Sequence, residues 1–190
     1  MPVRVGAPSP AALRQAPRGG ARKLGSGPAF SCERWAARHR REDFDCGEPA
    51  LNQFFRRQAG QMARRGFGKT YVALADDGLT VTGFVTISAG QVETTQLPPH
   101  LKLPRYPAPI LRIGRLAVDQ GQQGQGIGQH LIAFALQLAL EFSRQAGLYA
   151  VVVDAKHDKA KTFYERLGFT KTLGNPLCLY LPISTLQNSV

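Results

Sequence analysis

The chain has 190 residues, is 43% hydrophobic and carries a formal net charge of +11. That length supports one domain with a real core, and no apolar run approaches the roughly 20 residues needed to span a bilayer. The charge alone does not mark a nucleic-acid binder: nine of the 24 Lys/Arg lie at or before Arg41 against one of the 13 acids, which leaves 15 basic and 12 acidic residues for the rest.

Residues 1–28 are rich in Pro, Gly, Ala and Arg and have few large apolar side chains. Such a segment cannot bury enough surface to offset its ordering entropy, so a disordered basic arm without a signal-peptide core is expected. A single domain is expected over 29–190. In "EPALNQFFRRQAGQMARRG", Leu51, Phe54, Phe55, Ala59, Met62 and Ala63 recur near helical spacing, and Gly60 is expected to divide two short helices. Two β-rich runs around Asp76-Asp77-Gly78 predict a hairpin. Glu93 to Pro109 holds five prolines and predicts a long excursion over the surface. "ILRIGRLAV" predicts a strand. Ile127 to Gln145 is apolar nearly all round, which predicts a buried helix stopped by Gly147. "LYAVVVD" reads as a strand covered on both faces, so the strand–helix–strand unit predicts a parallel, right-handed crossover. Asp158 is expected to cap a helix with the stripe Ala160, Phe163, Tyr164 and Leu167, stopped by Gly168. Two short strands, near Phe169 and at "LCLYL", complete an α/β fold: a mixed central sheet flanked by helices.

Cys32, Cys46 and Cys178 form no CxxC pair, and His39, His100, His130 and His157 form no HExxH pattern. Free thiols in a reducing cytoplasm and no metal site are expected.

The chemistry centres on "GQQGQGIGQ", where Gly124, Gly126 and Gly128 stand at alternate positions between a strand and a long helix. Glycine admits positive φ and lets a ligand approach the backbone. A helix N-terminus presents N–H groups without intrahelical partners, and with the helix dipole these favour an anion. A phosphate at Gln123–Gly128 is one reading, and a tight turn packing helix on strand is the other. No Lys-Ser/Thr follows, which argues against a P-loop NTPase. The GxGxxG step of a dinucleotide fold is missing, although Asp154 lies where that fold places its ribose-binding acid.

Gln123-x-x-Gly126-x-Gly128 opening a helix, followed in register by Ala160-x-x-x-Tyr164-x-x-x-Gly168-Phe169, resembles the GNAT acetyltransferases, from about Phe44 to Thr185. His157 stands where the family usually has Asn. The blocks "FDCGEPALNQFF", "TYVAL", "PAPILRIGRLAVD", "GQGIG", "VVVDA" and "FYERLGF", in this order, resemble the GNAT-type toxins of bacterial toxin–antitoxin pairs. The resemblance implies acetyl-coenzyme A as donor, held by Leu116, Ala117 and Val118 along the pantetheine arm and by Gln123, Gly124, Gln125, Gly126, Ile127 and Gly128 at the pyrophosphate. It implies Tyr164 as general acid to the leaving thiolate. It implies acetylation of the α-amino group of aminoacyl-tRNA in the cytoplasm, which blocks translation, and a small ribbon-helix-helix antitoxin as partner, with a homodimer common among such toxins. A GNAT enzyme acting on a small amine, a peptide N-terminus or a lysine is the first alternative. A non-catalytic nucleic-acid or protein binder on the same fold is the second.

For the tRNA, Arg56, Arg57, Arg64, Arg65 and Lys69 lie between Asn52 and Tyr71 with no acid among them, interleaved with Phe54, Phe55, Phe67 and Tyr71. Such charge attracts a phosphate backbone and such rings stack on bases; a solvated helix face with its aromatics in the core is the alternative. Arg112 and Arg115 face opposite sides of a regular strand, so one of them, Arg115, is expected at the cleft unless a bulge intervenes. Lys102 and Arg105 are further candidates.

Overall fold

A computed structural model describes residues 31–188, and the expected basic arm lies outside the described residues. Seven strands form one sheet in the order β1-β2-β3-β4-β5-β7-β6. They are β1 (Ser31–Arg34), β2 (Lys69–Leu74), β3 (Val81–Val92), β4 (Ala108–Val118), β5 (Ala150–Asp154), β6 (Thr170–Lys171) and β7 (Cys178–Pro182). β4 and β5 are parallel and every other pairing is antiparallel. The mixed α/β sheet is therefore as the sequence predicts.

The β2–β3 hairpin closes where Asp77 Oδ1 accepts from the Leu79 and Thr80 N–H groups, each at 2.8 Å. The parallel step is bridged by α3 (Ile127–Ser143). This helix buries Ile127, Leu131, Ile132, Ala135 and Ala139, but Phe142 is 47% exposed. It thus covers one face of the sheet rather than being enclosed, and its outer apolar residues are tolerated at the surface. α4 (Asp158–Arg166) and α5 (Ile183–Gln187) join it on that face.

The opposite face carries α1 (Pro49–Gln53) and α2 (Ala59–Arg64), joined without interruption by one π-helical turn, Phe54–Gln58. Gly60 is not the divider the sequence suggests. It sits inside α2, where a Cβ would come within 3.0 Å of the Trp35 ring, so its role is close packing. The π turn directs both Phe54 and Phe55 inward, and with Phe44 they clamp Phe84 of β3. The proline-rich excursion runs over the surface as expected, and one residue anchors it. Leu97 is 1% exposed and, with Leu101 and Leu103, covers Ile110, Val152 and Tyr180. β1 and α5 have no counterpart in the sequence reading, because four or five residues carry too little periodicity to register.

Candidate active site

The site is built where the sheet opens. The parallel ladder between β4 and β5 ends at Ile113↔Val153, while β4 runs on to Val118. From Gly114 onward β4 therefore has a neighbour on one side only, β3. In the register with β3, Thr86 faces Arg115 and Ile87 faces Ile113, so Gly114 is the extra residue of a bulge. The bulge has a consequence for the arginines. Arg112 and Arg115 share the α1 face of the sheet, against the expectation for a regular strand. Arg112 pairs with Asp154, which gives that acid a partner within the fold. The Arg115 guanidinium stacks 3.9 Å from the centre of the buried Phe54 ring.

The glycine loop follows. Asp119 Oδ1 accepts from Gly121 N at 3.0 Å, and its Oδ2 accepts from Asp45 N at 3.0 Å. The Gln123 side-chain amide donates to Val118 O at 3.1 Å and Cys46 O at 3.4 Å, so this side chain fastens the loop to β4. Gly124 (φ +81°) and Gly126 (φ +84°) occupy the left-handed region, which is costly for other residues. Gly126 is the N-cap of α3, and the first intrahelical bond runs from His130 N to Gly126 O. The N–H groups of Ile127, Gly128 and Gln129 therefore lack helical partners. They rim a chamber of ≈ 390 Å³ lined by Leu116, Val118, Gly124, Gly126, Gly128 and Phe163. Gln125 is exposed on the loop. Backbone donors at the start of a 17-residue helix fit a diphosphate, and the one-sided strand beside them fits an extended amide arm.

A second chamber of ≈ 560 Å³ shares Leu116, Ala117, Val118 and Gln123 with the first. Tyr164 of α4 lines it and is 6% exposed, with its ring edge-on to Phe163 and Phe169. Burial, with a smaller contribution from the Asp154 charge, pushes its phenol up to about 12. A phenol so placed holds its proton at neutral pH and stands in the chamber as a donor. The expected Asp158 cap is replaced by His157, whose Nδ1 accepts from Ala160 N at 3.1 Å. This is the hydrogen bond an N-cap Asn makes, so the imidazole does the same local work.

The arginines divide. Arg56 and Arg57 line a third cavity, ≈ 590 Å³, with Asn52, Gln53 and Gln120, on the flank of α1 and beside the glycine loop. Arg56 Nη2 donates to Phe44 O at 2.6 Å, which fixes it there. Arg64 lies instead beside Trp35, Arg65 lies over Phe67 and Lys69 donates to Ala63 O, away from both chambers. Phe54 and Phe55 are core residues, and Phe67 is the exposed ring of that segment. Lys102 and Arg105 belong to the excursion and line neither chamber.

The sequence reading missed the support beneath the loop. Asp45 Oδ1 accepts from Gly47 N at 2.9 Å and from Asn52 Nδ2 at 2.7 Å, while Asp45 O accepts from Gln120 N at 2.8 Å. "FDCG" is thus a turn stapled to the glycine loop through Asp119. An Asp two residues before a glycine was the available signal. Glu48 and Lys156 were also missed; they pair across the second chamber. Among the described residues no group of three metal-ligating side chains forms, and no helix is long and apolar enough to cross a membrane.

Comparison with known proteins agrees with this geometry. A tRNA-acetylating toxin of Mycobacterium tuberculosis is 33% identical over 140 residues, 73% of this chain and 82% of that protein. The solved structure of AtaT complexed with acetyl-methionyl-tRNAfMet is 30% identical, with a TM-score of 0.79 over 85% of this chain and 99% of that one. A tyrosine-to-phenylalanine mutant of AtaT bound to the C-terminus of the antitoxin AtaR and acetyl-CoA is 28% identical, with a TM-score of 0.74 over 84% and 97%. The family model of the acetyltransferase (GNAT) domain matches residues 66–171, more than half the chain and the span that holds β4, the glycine loop and Tyr164. The chain belongs to the GNAT acetyltransferase family.

Proposed function

We propose that this protein transfers the acetyl group of acetyl-CoA to the α-amino group of aminoacyl-tRNA, and so acts as the translation-blocking toxin of a toxin–antitoxin pair. One observation carries the reading: the chamber lined by Leu116–Val118 and Tyr164 lies next to a cavity whose lining includes the cations Arg56 and Arg57. A small amine needs no such flank, whereas a phosphodiester end does.

The loop Gly124–Gly128 holds the diphosphate of the donor, and Leu116–Val118 align its arm. Holding both reactants in line supplies up to roughly 7–11 kcal/mol of the barrier. The acceptor amine has an ordinary pKa of about 7.7–8.0, so a large fraction is neutral at physiological pH. A main-chain N–H near Ala117–Val118 stabilises the oxyanion as the amine attacks. Tyr164 protonates the departing sulfur. Arg115 borders the acceptor side, while Arg64, Arg65 and Lys69 extend the basic surface beyond it. The partner is a small ribbon-helix-helix antitoxin, two copies of the chain associate, and the protein works in the cytoplasm with its substrate.

Incubation with labelled acetyl-CoA and total charged tRNA tests the reading, and label is expected on the aminoacyl group. Reversing Arg56 and Arg57 to Glu is expected to raise KM for aminoacyl-tRNA at least tenfold, flatten its salt dependence and leave acetyl-CoA affinity unchanged. Label on free amines or lysines, with charged tRNA untouched, returns the enzyme to the small-amine class.

A further inference from the structure

Two carboxylates line the chamber that holds Tyr164, and each has a cation. Asp154 is paired with Arg112 and Glu48 with Lys156. The second pair differs in what it joins. Glu48 precedes α1, on the wall formed by Cys46, Glu48 and Leu51; Lys156 stands on the turn between β5 and α4, on the wall that carries Tyr164. The pair therefore spans the chamber, and both side chains are open to solvent, 43% and 54% exposed. An exposed pair of this kind contributes little to folding and is readily exchanged for other partners.

Resting on the reading that aminoacyl-tRNA is the acceptor, we propose that Glu48 is the group that receives the attacking amine, and that Lys156 leaves it for a phosphate of the tRNA end as the acceptor enters. The site then has a stated acceptor for each proton. The amine nitrogen forms the C–N bond to the acetyl carbon, and the C–S bond breaks with its electron pair on sulfur. Tyr164 gives that sulfur its phenol proton, and a Glu48 carboxylate oxygen takes the proton the nitrogen sheds. Transfer of that proton through water to the phenolate resets both groups. Lys156 ties the two events together. Its hydrogen bond and then its charge hold the Glu48 carboxyl below the usual range. Drawing the ammonium onto a phosphate removes both influences, so the carboxylate becomes a better base when the carrier is in place.

The test is steady-state kinetics of the purified full chain with acetyl-CoA and charged tRNA, with acetyl-CoA binding measured separately by calorimetry. Glu48→Gln is expected to lower kcat roughly 10²-fold with acetyl-CoA affinity unchanged. Lys156→Met is expected to raise KM for aminoacyl-tRNA about tenfold and leave kcat within about twofold. The exchanged pair Glu48→Lys/Lys156→Glu restores an ion pair between the walls but puts a cation where the amine must dock, so it is expected to stay as slow as Glu48→Gln. Recovery of activity in the exchanged pair would reduce Glu48 to a strap and overturn the proposal, as would a Glu48→Gln enzyme of wild-type kcat. A wild-type enzyme that leaves charged tRNA untouched would overturn the acceptor assignment itself, a failure visible before any variant is compared.

Discussion

Tyr164 is the residue at which packing and the proposed chemistry are hardest to separate, because one ring would serve both. Its edge contacts with Phe163 and Phe169 belong to the ring, while the hydroxyl alone carries the proton. Tyr164→Phe keeps the first and removes the second. Turnover is expected to fall by about 10²–10⁴-fold with acetyl-CoA affinity unchanged, measured by product formation and calorimetry on the same preparation. Unchanged turnover would return Tyr164 to the core. The raised phenol also has a stability signature. Folded Tyr164 keeps its proton to about pH 12, whereas in the unfolded chain the phenol ionises near 10. Between those values the native state binds more protons than the unfolded one, so this contribution is complete below about pH 10 and is lost as pH rises to about 12. Denaturation midpoints across that window are expected to fall less steeply in Tyr164→Phe than in the wild type. His157 illustrates the other kind of residue. It stands where the family usually has Asn, and its Nδ1 is engaged with Ala160 N. Sequence alone places a histidine before a helix; it does not say which atom the histidine faces.

At the scale of elements, legibility follows the length of the periodic run. α3 and β5 were readable because 17 residues of helix and a continuous apolar strand each repeat one pattern. The βαβ hand and the mixed sheet then follow from connection rules. The bulge at Gly114 was named as a condition but not located, since a single extra residue leaves no periodic trace; it alone decides that Arg112 and Arg115 share a face. The helix pair shows the same limit. Phe54 and Phe55 are adjacent, and an ordinary α-helix turns neighbours about 100° apart. The π turn holds more residues per turn, which narrows the angle between neighbours, and both face Phe84. No propensity scale signals this, because the cause is the fit to the sheet. Phe55 is fully buried and stacked on Phe84 at 4.5 Å, so Phe55→Ala is expected to cost about 3–5 kcal/mol in urea denaturation. Because Arg56 and Arg57 lie in the same turn and line the third cavity, the same variant is expected to weaken acceptor binding more than donor binding.

For the molecule as a whole, donor binding and stability are one quantity. The "FDCG" turn and the continuous segment of β4 and the glycine loop come from separate parts of the chain and meet only in the folded state, through Asp119, Gln123 and Asp45. A ligand that requires their meeting binds the native state alone. At a hundred times its Kd, acetyl-CoA is therefore expected to stabilise the protein by about 2.7 kcal/mol. For a domain of this size that is roughly 5–11 °C in Tm, measured by thermal scanning. Gly126→Val separates this linkage from general damage. At φ +84° an L side chain carries a conformational penalty of about 1–2 kcal/mol, so the unliganded Tm is expected to fall modestly. The nearest atom to a Cβ there is the flexible Gln129 side chain at 3.5 Å, so no core contact is broken. The added methyls would instead stand at the mouth of the first chamber, where the free N–H groups of α3 point. The acetyl-CoA increment is expected to disappear while the fold persists. An increment equal to the wild type's would mean that the donor is held somewhere other than this loop.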